Sequence, residues 1–414
     1  MSDGIFFNVP NELCLLVLRR LGASYRDVCR RWRWLADSDR VWEFLLRAHA
    51  VSPEDAGPAE DAGGNKQVFA RWYTKYRGFT DSYTRMRRAV LRLEAWAQEA
   101  CPEIQRSLAA GLGWMGGESV PVRELLQVVG DSEALHDFLV LYHLRDGQRR
   151  QQRFLGSGLF GSYECYGEVC SLSWLPSRML QIVDMGRFRM LVFAWCHATH
   201  NYLAVVVGCP PALEPRMLHH VVQMQPRSHR YVDHGLFGDF FCAHVDALAS
   251  GYHDVRKGVV SMMPNHGPHV GSSITAGVRT TVSVMFCADE TPRFRVYRYE
   301  VTFEVLSFET LGYPALQLKE RYWLTHFREG QYGETAGPGV VGMFPRLTPE
   351  SPVFKYCSRL QDEVDGFAEL LVEGFEGRFT MVPGSLDHPL GDDILLCVPY
   401  IHMPVPSEIE SPYV

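Results

Sequence analysis

Three glycines near the end of the chain have the spacing that binds a pyrophosphate in dinucleotide-binding folds. Gly337, Gly339 and Gly342 satisfy the pattern G-x-G-x-x-G. That pattern needs a preceding strand and a helix that opens at the motif, so that helix N–H groups face the phosphates. Three prolines follow between residues 345 and 352, and each proline removes a backbone donor and clashes with the preceding helical turn. The motif therefore predicts a turn between β-strands, in which glycine supplies positive φ angles or close backbone approach.

The residues around these glycines follow a longer pattern. R-Y-W at Arg321–Trp323 precedes the motif and Y-x-S at Tyr356–Ser358 follows it, before the glycine-containing run Gly374–Phe379 and V-P-Y at Val398–Tyr400. From Arg321 to about Val382 this pattern resembles the ApaG domain. The resemblance implies an immunoglobulin- or fibronectin-like β-sandwich, a fold that usually binds rather than catalyses.

The motif and its neighbours are the predicted target- or ligand-binding surface of this domain. The predicted set is Arg321, Tyr322, Gly337, Gly339, Gly342 and Tyr356. The alternative is a purely structural role, in which the glycines fix turns and the aromatic residues fill the core. Two turns depart from the family, which has Pro-Gly and Ser-Gly where this chain has Pro349-Glu350 and Ser358-Arg359.

Three short amphipathic helices are predicted in the first fifty residues. Pro10 and Glu12 suit the first turn of a helix, and apolar residues then recur at helical spacing in three stretches. These stripes are Leu13, Leu16, Val17 and Leu21, then Val28, Trp32 and Leu35, then Val41, Trp42, Leu45 and Leu46. Helices this short bury too little surface to be stable alone, so a partner that covers their apolar faces is expected.

This N-terminal stretch resembles an F-box. V-P-x-E-L matches at Val9–Leu13 and V-C-R-R-W matches at Val28–Trp32, although the link between them is about five residues shorter than usual in the family. The resemblance implies docking on the Skp adaptor of a cullin–RING ubiquitin ligase. The implied contacts are Pro10, Leu13, Leu16, Val17, Val28, Cys29, Trp32, Leu35 and Trp42. The alternative is a helical cap packed on its own protein.

The middle of the chain predicts a linker and then an α+β domain. Residues 51–67 are rich in Pro, Gly, Ala and acidic residues, which is typical of a flexible tether. Helical periodicity at 122–129 and 134–144 gives way to strand-like runs at 190–195 and 202–207, so residues 68–255 predict one α+β domain. This order, with Tyr142–Gln148 before a Gly-rich loop, is similar to the SUKH superfamily.

The last third of the chain predicts an all-β domain over residues 275–406. Apolar and polar residues alternate from Tyr297 to Val305, which predicts a strand with Arg298 and Glu300 on a solvated face. Residues 278–286 are its predicted hairpin partner, and further strands are expected at 316–325, 353–360, 376–382 and 393–403. Several strands with Gly/Pro turns favour a sandwich.

Composition and net charge disfavour several classes of function for this chain. A net charge of -7 disfavours general nucleic-acid binding, and no apolar run is long enough to span a bilayer. Eleven cysteines without a signal peptide favour reduced thiols in the cytoplasm or nucleus. We predict no metal, cofactor or catalytic residue, because no catalytic motif stands out and the nearest metal-like spacings are unpaired. Those spacings are Cys165-x4-Cys170, Cys196-His197-x-x-His200 and His219-His220.

The predicted architecture has three domains: a small all-α F-box at 1–50, an α+β SUKH-like domain and a C-terminal all-β ApaG-like sandwich. They occur in this order in the F-box only protein 3 family, which the chain resembles over essentially its full length. The resemblance implies a non-catalytic substrate-recognition subunit of an SCF-type E3 ubiquitin ligase, whose partners are a Skp adaptor, a cullin scaffold and protein substrates. The alternative is a ligand-binding or nucleotide/anion-binding β-sandwich protein whose N-terminal helices are only a structural cap.

Overall fold

The computed structural model describes most of the chain after residue 37 and divides it into two compact units, residues 1–88 and 89–414. The described residues are 38–53, 64–111, 132–149, 158–165, 168–185, 188–211, 214–224, 230–287, 296–328, 330–361, 372–403 and 407–410. The predicted adaptor contacts from Pro10 to Leu35 and the predicted helix at 122–129 lie outside them. The assignments to the F-box and SUKH families and the predicted domain limits at 50, 67, 255 and 275 stay predictions.

Two helices of the first unit pack against each other through aromatic residues. They are α1 (Asp39–Ala48) and α2 (Asn65–Tyr76), which begins inside the stretch predicted as a linker. The backbone N–H of Asn65 donates to the Asp39 carboxylate at 3.0 Å, which satisfies a donor that the first turn of α2 leaves unpaired. Trp72 and Tyr76 of α2 are buried together with Tyr83, and their rings contact one another.

The remaining described helices are mostly short. They are α3 (Thr80–Ala100), in which the boundary between the units falls, α4 (Pro102–Ser107), α5 (His136–Leu144), α6 (Glu214–Met217), α7 (Phe237–Ala249) and α8 (Phe308–Leu311). We did not predict α7, although Phe237, Phe241 and Val245 recur at four-residue spacing and are buried. None of the described helices has the length and apolarity needed to cross a membrane.

The second unit is built mainly from strands. Those before residue 265 are β1 (Leu108–Ala110), β2 (Arg145–Gln148), β3 (Ser162–Cys165), β4 (Glu168–Ser171), β5 (Ser173–Trp174), β6 (Gln181–Met185), β7 (Phe188–Trp195), β8 (Tyr202–Gly208), β9 (His220–Met224), β10 (Arg230–Leu236), β11 (His253–Arg256) and β12 (Val259–Pro264). Those after it are β13 (Val270–Thr275), β14 (Val278–Cys287), β15 (Val296–Val305), β16 (Leu316–Phe327), β17 (Tyr332–Pro338), β18 (Arg346–Leu347), β19 (Val353–Gln361), β20 (Val372–Pro383), β21 (Ile394–His402) and β22 (Ser407–Glu410).

Residues 108–264 form three sheets with α5 and α7 beside them. The largest sheet has the order β22-β10-β9-β8-β7-β5, with β6 also paired to β7. A second sheet has the order β11-β12-β3-β4, and β1 pairs with β2. The strands predicted at 190–195 and 202–207 are β7 and β8, which neighbour each other in the largest sheet.

The C-terminal residues form the predicted sandwich. One sheet has the order β13-β14-β15-β19 and the other β17-β16-β20-β21, with β18 paired to β16. The predicted hairpin is β14–β15, in which Val282 faces Val301. The strands predicted at 316–325, 353–360, 376–382 and 393–403 are β16, β19, β20 and β21. Apolar side chains from both sheets meet in one core, which includes Val301, Phe303 and Phe379.

The outer face of β15 is more buried than we predicted. The alternating pattern predicted a solvated face there, but Arg298 is 1% exposed and Glu300 is 7% exposed. That prediction was wrong for this half of the strand because the β11-β12-β3-β4 sheet covers it. The Arg298 guanidinium lies 4.6 Å from the centre of the Tyr163 ring on β3, and Glu300 pairs with Arg256 of β11. The far half of the face, at Thr302 and Glu304, stays partly exposed as predicted.

The two sheets of the sandwich meet closely where β13 lies against β21. There the Ser273 hydroxyl of β13 donates to the Cys397 carbonyl of β21. A Cβ on Gly271 would lie 2.7 Å from the Ile401 side chain, so glycine permits this close approach. On the opposite side, β17 and β19 are the outermost strands of their sheets. A groove therefore opens between these two edges.

Three histidines between residues 234 and 253 are packed in neutral form. Burial lowers the pKa of His234 and His253 to about 4 and that of His244 to about 3. The His244 ring stacks against Phe160 and Phe240, and its Nε2 donates to the Leu159 carbonyl at 3.0 Å. Desolvation disfavours the charged imidazolium. Protonation of these histidines at low pH therefore destabilises the folded state.

We predict that the free energy of unfolding falls as the pH drops from about 6.5 towards 4. The folded-state pKa values lie below the unfolded value, so the unfolded chain binds more protons in this window. Each histidine contributes a slope of at most about 1.4 kcal/mol per pH unit. Urea unfolding at pH 7.5, 6, 5 and 4 measures the slope. The His244→Gln variant should show a shallower one, and an equally steep slope in that variant would contradict the assignment to His244.

Candidate functional site

The G-x-G-x-x-G motif forms a tight turn, as predicted. Strand β17 ends at Pro338, and the N–H groups of Val340 and Met343 each donate to the other residue's carbonyl, at 2.9 and 2.8 Å. The two residues between them, Val341 and Gly342, have φ of +49° and +73°. Positive φ at both central positions is the signature of a type I′ hairpin turn. Residues 330–361 contain no helix that could present N–H groups to a pyrophosphate.

The three motif glycines differ in what the backbone requires of them. Gly339 has φ +57°, and a Cβ there would lie 2.4 Å from the Met343 carbonyl oxygen. Gly342 also has positive φ, but no described atom lies within 4 Å of a Cβ added to it. A Cβ on Gly337 would lie 3.3 Å from the Arg321 guanidinium. Gly339 is therefore the position at which the turn itself demands glycine.

Val341 occupies a position of this turn that normally belongs to Gly, Asn or Asp. A β-branched residue in the left-handed region costs about 1–2 kcal/mol. Val341 is also 40% exposed, and the adjacent Met343 and Phe344 are 44% and 43% exposed. A strained turn with three exposed apolar side chains is a typical contact surface for another protein. We call residues 340–344 the apolar turn.

A cavity of about 710 Å³ opens beside the apolar turn, in the groove between β17 and β19. Tyr299, Trp323 and Phe375 line it, and their rings contact one another with centroids 4.8–5.7 Å apart. Arg321 and Arg359 line it as well. We call this the aromatic cavity. Its size suits a drug-sized ligand or a few side chains of a partner.

The chemistry of the aromatic cavity favours binding. Its described lining residues include two arginines and no acidic residue. The Arg321 guanidinium is held in place because Nη1 donates to the Gly339 carbonyl at 2.9 Å. The same lining residues include hydroxyl groups, at Thr325 and Ser358 for example, but no His, Cys, Asp or Glu that could activate a nucleophile. An apolar group beside an anionic one fits this surface.

A second cavity, of about 780 Å³, lies on the other side of the apolar turn and shares Val341 and Tyr356 with the first. Glu300 stands in its wall and accepts hydrogen bonds from Arg256 at 2.6 Å and from Lys355 at 2.9 Å. Burial by itself would lower the pKa of Arg256, but the hydrogen bonds and charges of Glu300 and Asp254 outweigh it and raise that pKa. The buried carboxylate therefore holds together β11, β15 and β19.

The structure groups most of the predicted ligand-binding residues. Four of the six line the aromatic cavity: Arg321, Gly337, Gly342 and Tyr356. Tyr322 points to the opposite face of β16, where the Arg378 guanidinium lies 4.5 Å from its ring centre. Gly339 does not line the cavity. A role of these residues in ligand binding stays a prediction.

Sequence reasoning missed several residues of this surface, and four of them shape it most. Trp323 and Phe375 form the aromatic floor, Arg359 adds a second cation and Val341 joins the two cavities. One signal was available, because the two-residue repeat of a strand places Trp323 on the same face as Arg321 and puts Tyr322 on the other. The contribution of Phe375 depends on how the two sheets face each other, which the local pattern does not encode.

Trp42 is the predicted adaptor contact that lies within the described residues. Its ring centroid is 5.5 Å from that of Phe69, and the Lys66 ammonium lies 5.9 Å from the Trp42 ring centre. Trp42 is half-buried in this arrangement. Its indole packs on α2 and retains exposed surface.

One of the metal-like spacings separates in the structure. Cys196 is buried whereas His197 and His200 are exposed, so these three side chains do not converge. Cys196 instead lies beside Cys170, whose thiol hydrogen bond lowers the pKa of Cys196. The described residues contain no group of three or more His, Cys, Asp or Glu side chains that could hold a metal ion.

Comparison with known proteins finds similarity for the sandwich and for most of the chain. The ApaG domain family matches residues 288–383. F-box only protein 3 of Bos taurus is 23% identical over 369 residues, covering 85% of this chain and 75% of that protein. The Homo sapiens protein of the same name is 23% identical over 370 residues, covering 85% and 74%. Protein ApaG of Rhodospirillum centenum is 36% identical over 90 residues, covering 21% and 65%. The resemblances to the ApaG domain and to the F-box only protein 3 family are thus confirmed, whereas those to the F-box and the SUKH superfamily stay predictions.

We predict that Gly339→Val lowers the free energy of unfolding by at least about 2 kcal/mol, because the new side chain meets a carbonyl and the φ angle is strained. Gly342→Ala is the matched control, in which only the φ angle is strained, and should cost about 1 kcal/mol. Urea unfolding of the two variants measures the difference. Equal stability of Gly339→Val and the wild type would contradict a structural role for Gly339.

We predict that Glu300→Gln destabilises the fold by about 2 kcal/mol, because two cations lose their buried counter-charge but keep access to water. Glu304→Gln is the matched control on the same face of β15. Its pair with Arg279 is exposed, and such pairs contribute about 0–1 kcal/mol. Thermal melting of both variants is the measurement. Losses of equal size would show that Glu300 has no special role.

Proposed function

We propose that this chain is the substrate-recognition subunit of a Skp–cullin–F-box ubiquitin ligase. The premise is that it is a distant relative of F-box only protein 3 and carries an ApaG domain. In this role the chain binds a target protein and forms no covalent intermediate itself. It contributes proximity, since holding the target near the charged conjugating enzyme raises the effective concentration of the target lysine.

The observation that carries this proposal is the extent of the similarity. The match to F-box only protein 3 spans 369 residues, whereas the ApaG domain accounts for residues 288–383. The relationship therefore extends well beyond the β-sandwich, into much of the chain that precedes it. Binding to a Skp adaptor and a cullin scaffold, and a place in the cytoplasm or nucleus, belong to the same proposal.

The sandwich supplies a surface suited to target recognition. The apolar turn projects Val341, Met343 and Phe344 between two cavities. Arg321 and Arg359 lie in one of those cavities, and Lys355 lies in the other. A target segment that combines apolar side chains with acidic ones complements both features, since it fills the aromatic cavity and neutralises its rim.

The first test is co-purification of the full chain with a Skp adaptor. The wild type should form a stoichiometric complex, and the Pro10→Ala/Trp32→Ala double variant should lose it, because both residues belong to the implied adaptor contacts. Melting curves of both proteins control for folding. A folded wild type that does not bind the adaptor would contradict the ligase role and would leave the N-terminal helices as a cap.

Nucleotide or anion binding is the second candidate function. Two arginines without an acidic neighbour among the described lining residues of the aromatic cavity favour it. The turn geometry disfavours it, because the motif presents no helix N-terminus to a phosphate. Isothermal titration with ATP and with pyrophosphate distinguishes the ligand-binding role from the adaptor role. The adaptor role predicts a Kd weaker than about 1 mM, in the range of non-specific charge attraction, whereas micromolar binding would favour the ligand-binding role.

We predict that Val341→Gly raises the free energy of unfolding by about 1 kcal/mol, because glycine adopts positive φ without strain. The same change should reduce the amount of target protein recovered with the chain, since it removes an exposed apolar contact. Urea unfolding and quantitative mass spectrometry of matched co-purifications are the two measurements. Ile274→Gly is the control for loss of an exposed apolar side chain elsewhere on the sandwich. Unchanged target recovery with Val341→Gly would exclude this residue from the contact.

A further inference from the structure

The last described strand leaves the sandwich and joins a different sheet. Met403 is buried at the end of β21, and its N–H donates to the Glu373 carbonyl at 2.8 Å. Four residues later β22 begins, and it pairs antiparallel with β10, where Arg230 lies opposite Glu410 and Asp233 opposite Ser407. The outermost position of the largest sheet is therefore filled by a segment that follows the sandwich in the chain.

Strand β10 is anchored without β22. On its inner side β10 pairs with β9, and Val232 is buried. The Asp233 carboxylate accepts hydrogen bonds from His220 at 3.0 Å and from the Gly235 N–H at 2.8 Å. Removal of β22 would leave β10 in place with a row of unpaired N–H and C=O groups. Such an edge is a template for another strand.

Strand β22 is a short strand that a backbone ladder joins to β10. It is four residues long, and the structure pairs it with β10 only. Each ladder hydrogen bond contributes about 0.5–1.5 kcal/mol net, so a four-residue strand is a weak ligand. Its attachment through a short link supplies an effective concentration of about 1 mM, and this is what keeps the edge filled.

We propose that the outer edge of β10 is a strand-addition site that binds an extended peptide segment, and that residues 407–410 occupy it in cis. Strand addition recognises backbone and alternate side chains rather than a folded surface. The sequence of the resident segment is S-E-I-E. A partner segment in which acidic and apolar residues alternate is therefore the class that fits. The site is independent of the ubiquitin-ligase role.

Two single-proline variants of the full chain test the ladder. N–H groups point alternately to the two sides of a strand, so only one of Glu408 and Ile409 directs its N–H to β10. Proline cannot donate a hydrogen bond. We expect one of Glu408→Pro and Ile409→Pro to raise hydrogen exchange at residues 230–233 by about tenfold or more, and the other to behave like the wild type. Wild-type exchange in both variants would overturn the proposal.

A peptide with the sequence of residues 403–410 tests the site itself. We expect the proline variant with the raised exchange to bind this peptide at least about tenfold more tightly than the wild type, whose edge is already filled. The same peptide carrying proline at the sensitive position should not bind. Melting curves confirm that the variants are folded. Equal binding of the peptide to the wild type and to the proline variant with the raised exchange, or no binding to either protein, would overturn the proposal.

Discussion

The paired charges on the outer face of β15 determine how this structure is assembled. Arg298 and Glu300 would each be unstable when buried without partners, and each has one on a neighbouring element. The Arg298 guanidinium lies over the Tyr163 ring, while Glu300 accepts hydrogen bonds from Arg256 and Lys355. These contacts place the β11-β12-β3-β4 sheet against the sandwich. The second cavity exists because these two sheets meet there, and Glu300 forms part of its wall.

The aromatic cavity has a different origin, in the uneven closure of the sandwich. Where β13 meets β21, Gly271 and a hydrogen bond from Ser273 bring the sheets together. At β17 and β19 nothing equivalent is described, so the aromatic floor remains accessible from the groove. A surface made this way is preformed, because both strands are paired within their sheets. Preformed binding surfaces lose little conformational entropy when a partner docks.

Both cavities border the same strained turn, and this explains why the G-x-G-x-x-G spacing occurs without a nucleotide-binding fold. Gly339 and Gly342 serve backbone conformation, whereas Val341 departs from what its position prefers. Strain retained at an exposed apolar residue is characteristic of a surface maintained for contact. The lining of the aromatic cavity agrees with this, because its described groups include cations, hydroxyls and aromatic rings. This surface suits the proposed role, in which a target is recognised by shape and charge.

Local pattern determined six strands of the sandwich, the β14–β15 hairpin and the turn at the glycine motif, because two-residue alternation and the limits on Pro and Gly act between near neighbours. Strands β13, β17 and β18 were not predicted. The same reasoning placed Arg321 and Tyr356 at one site. Only tertiary structure decided that Arg298 and Glu300 are buried, since the covering residues come from strands about 40 and 140 positions earlier in the chain. Tertiary structure also decided that Phe375 lines the aromatic cavity and that β22 pairs with β10. Such contacts depend on how whole sheets pack, which no short stretch of sequence contains.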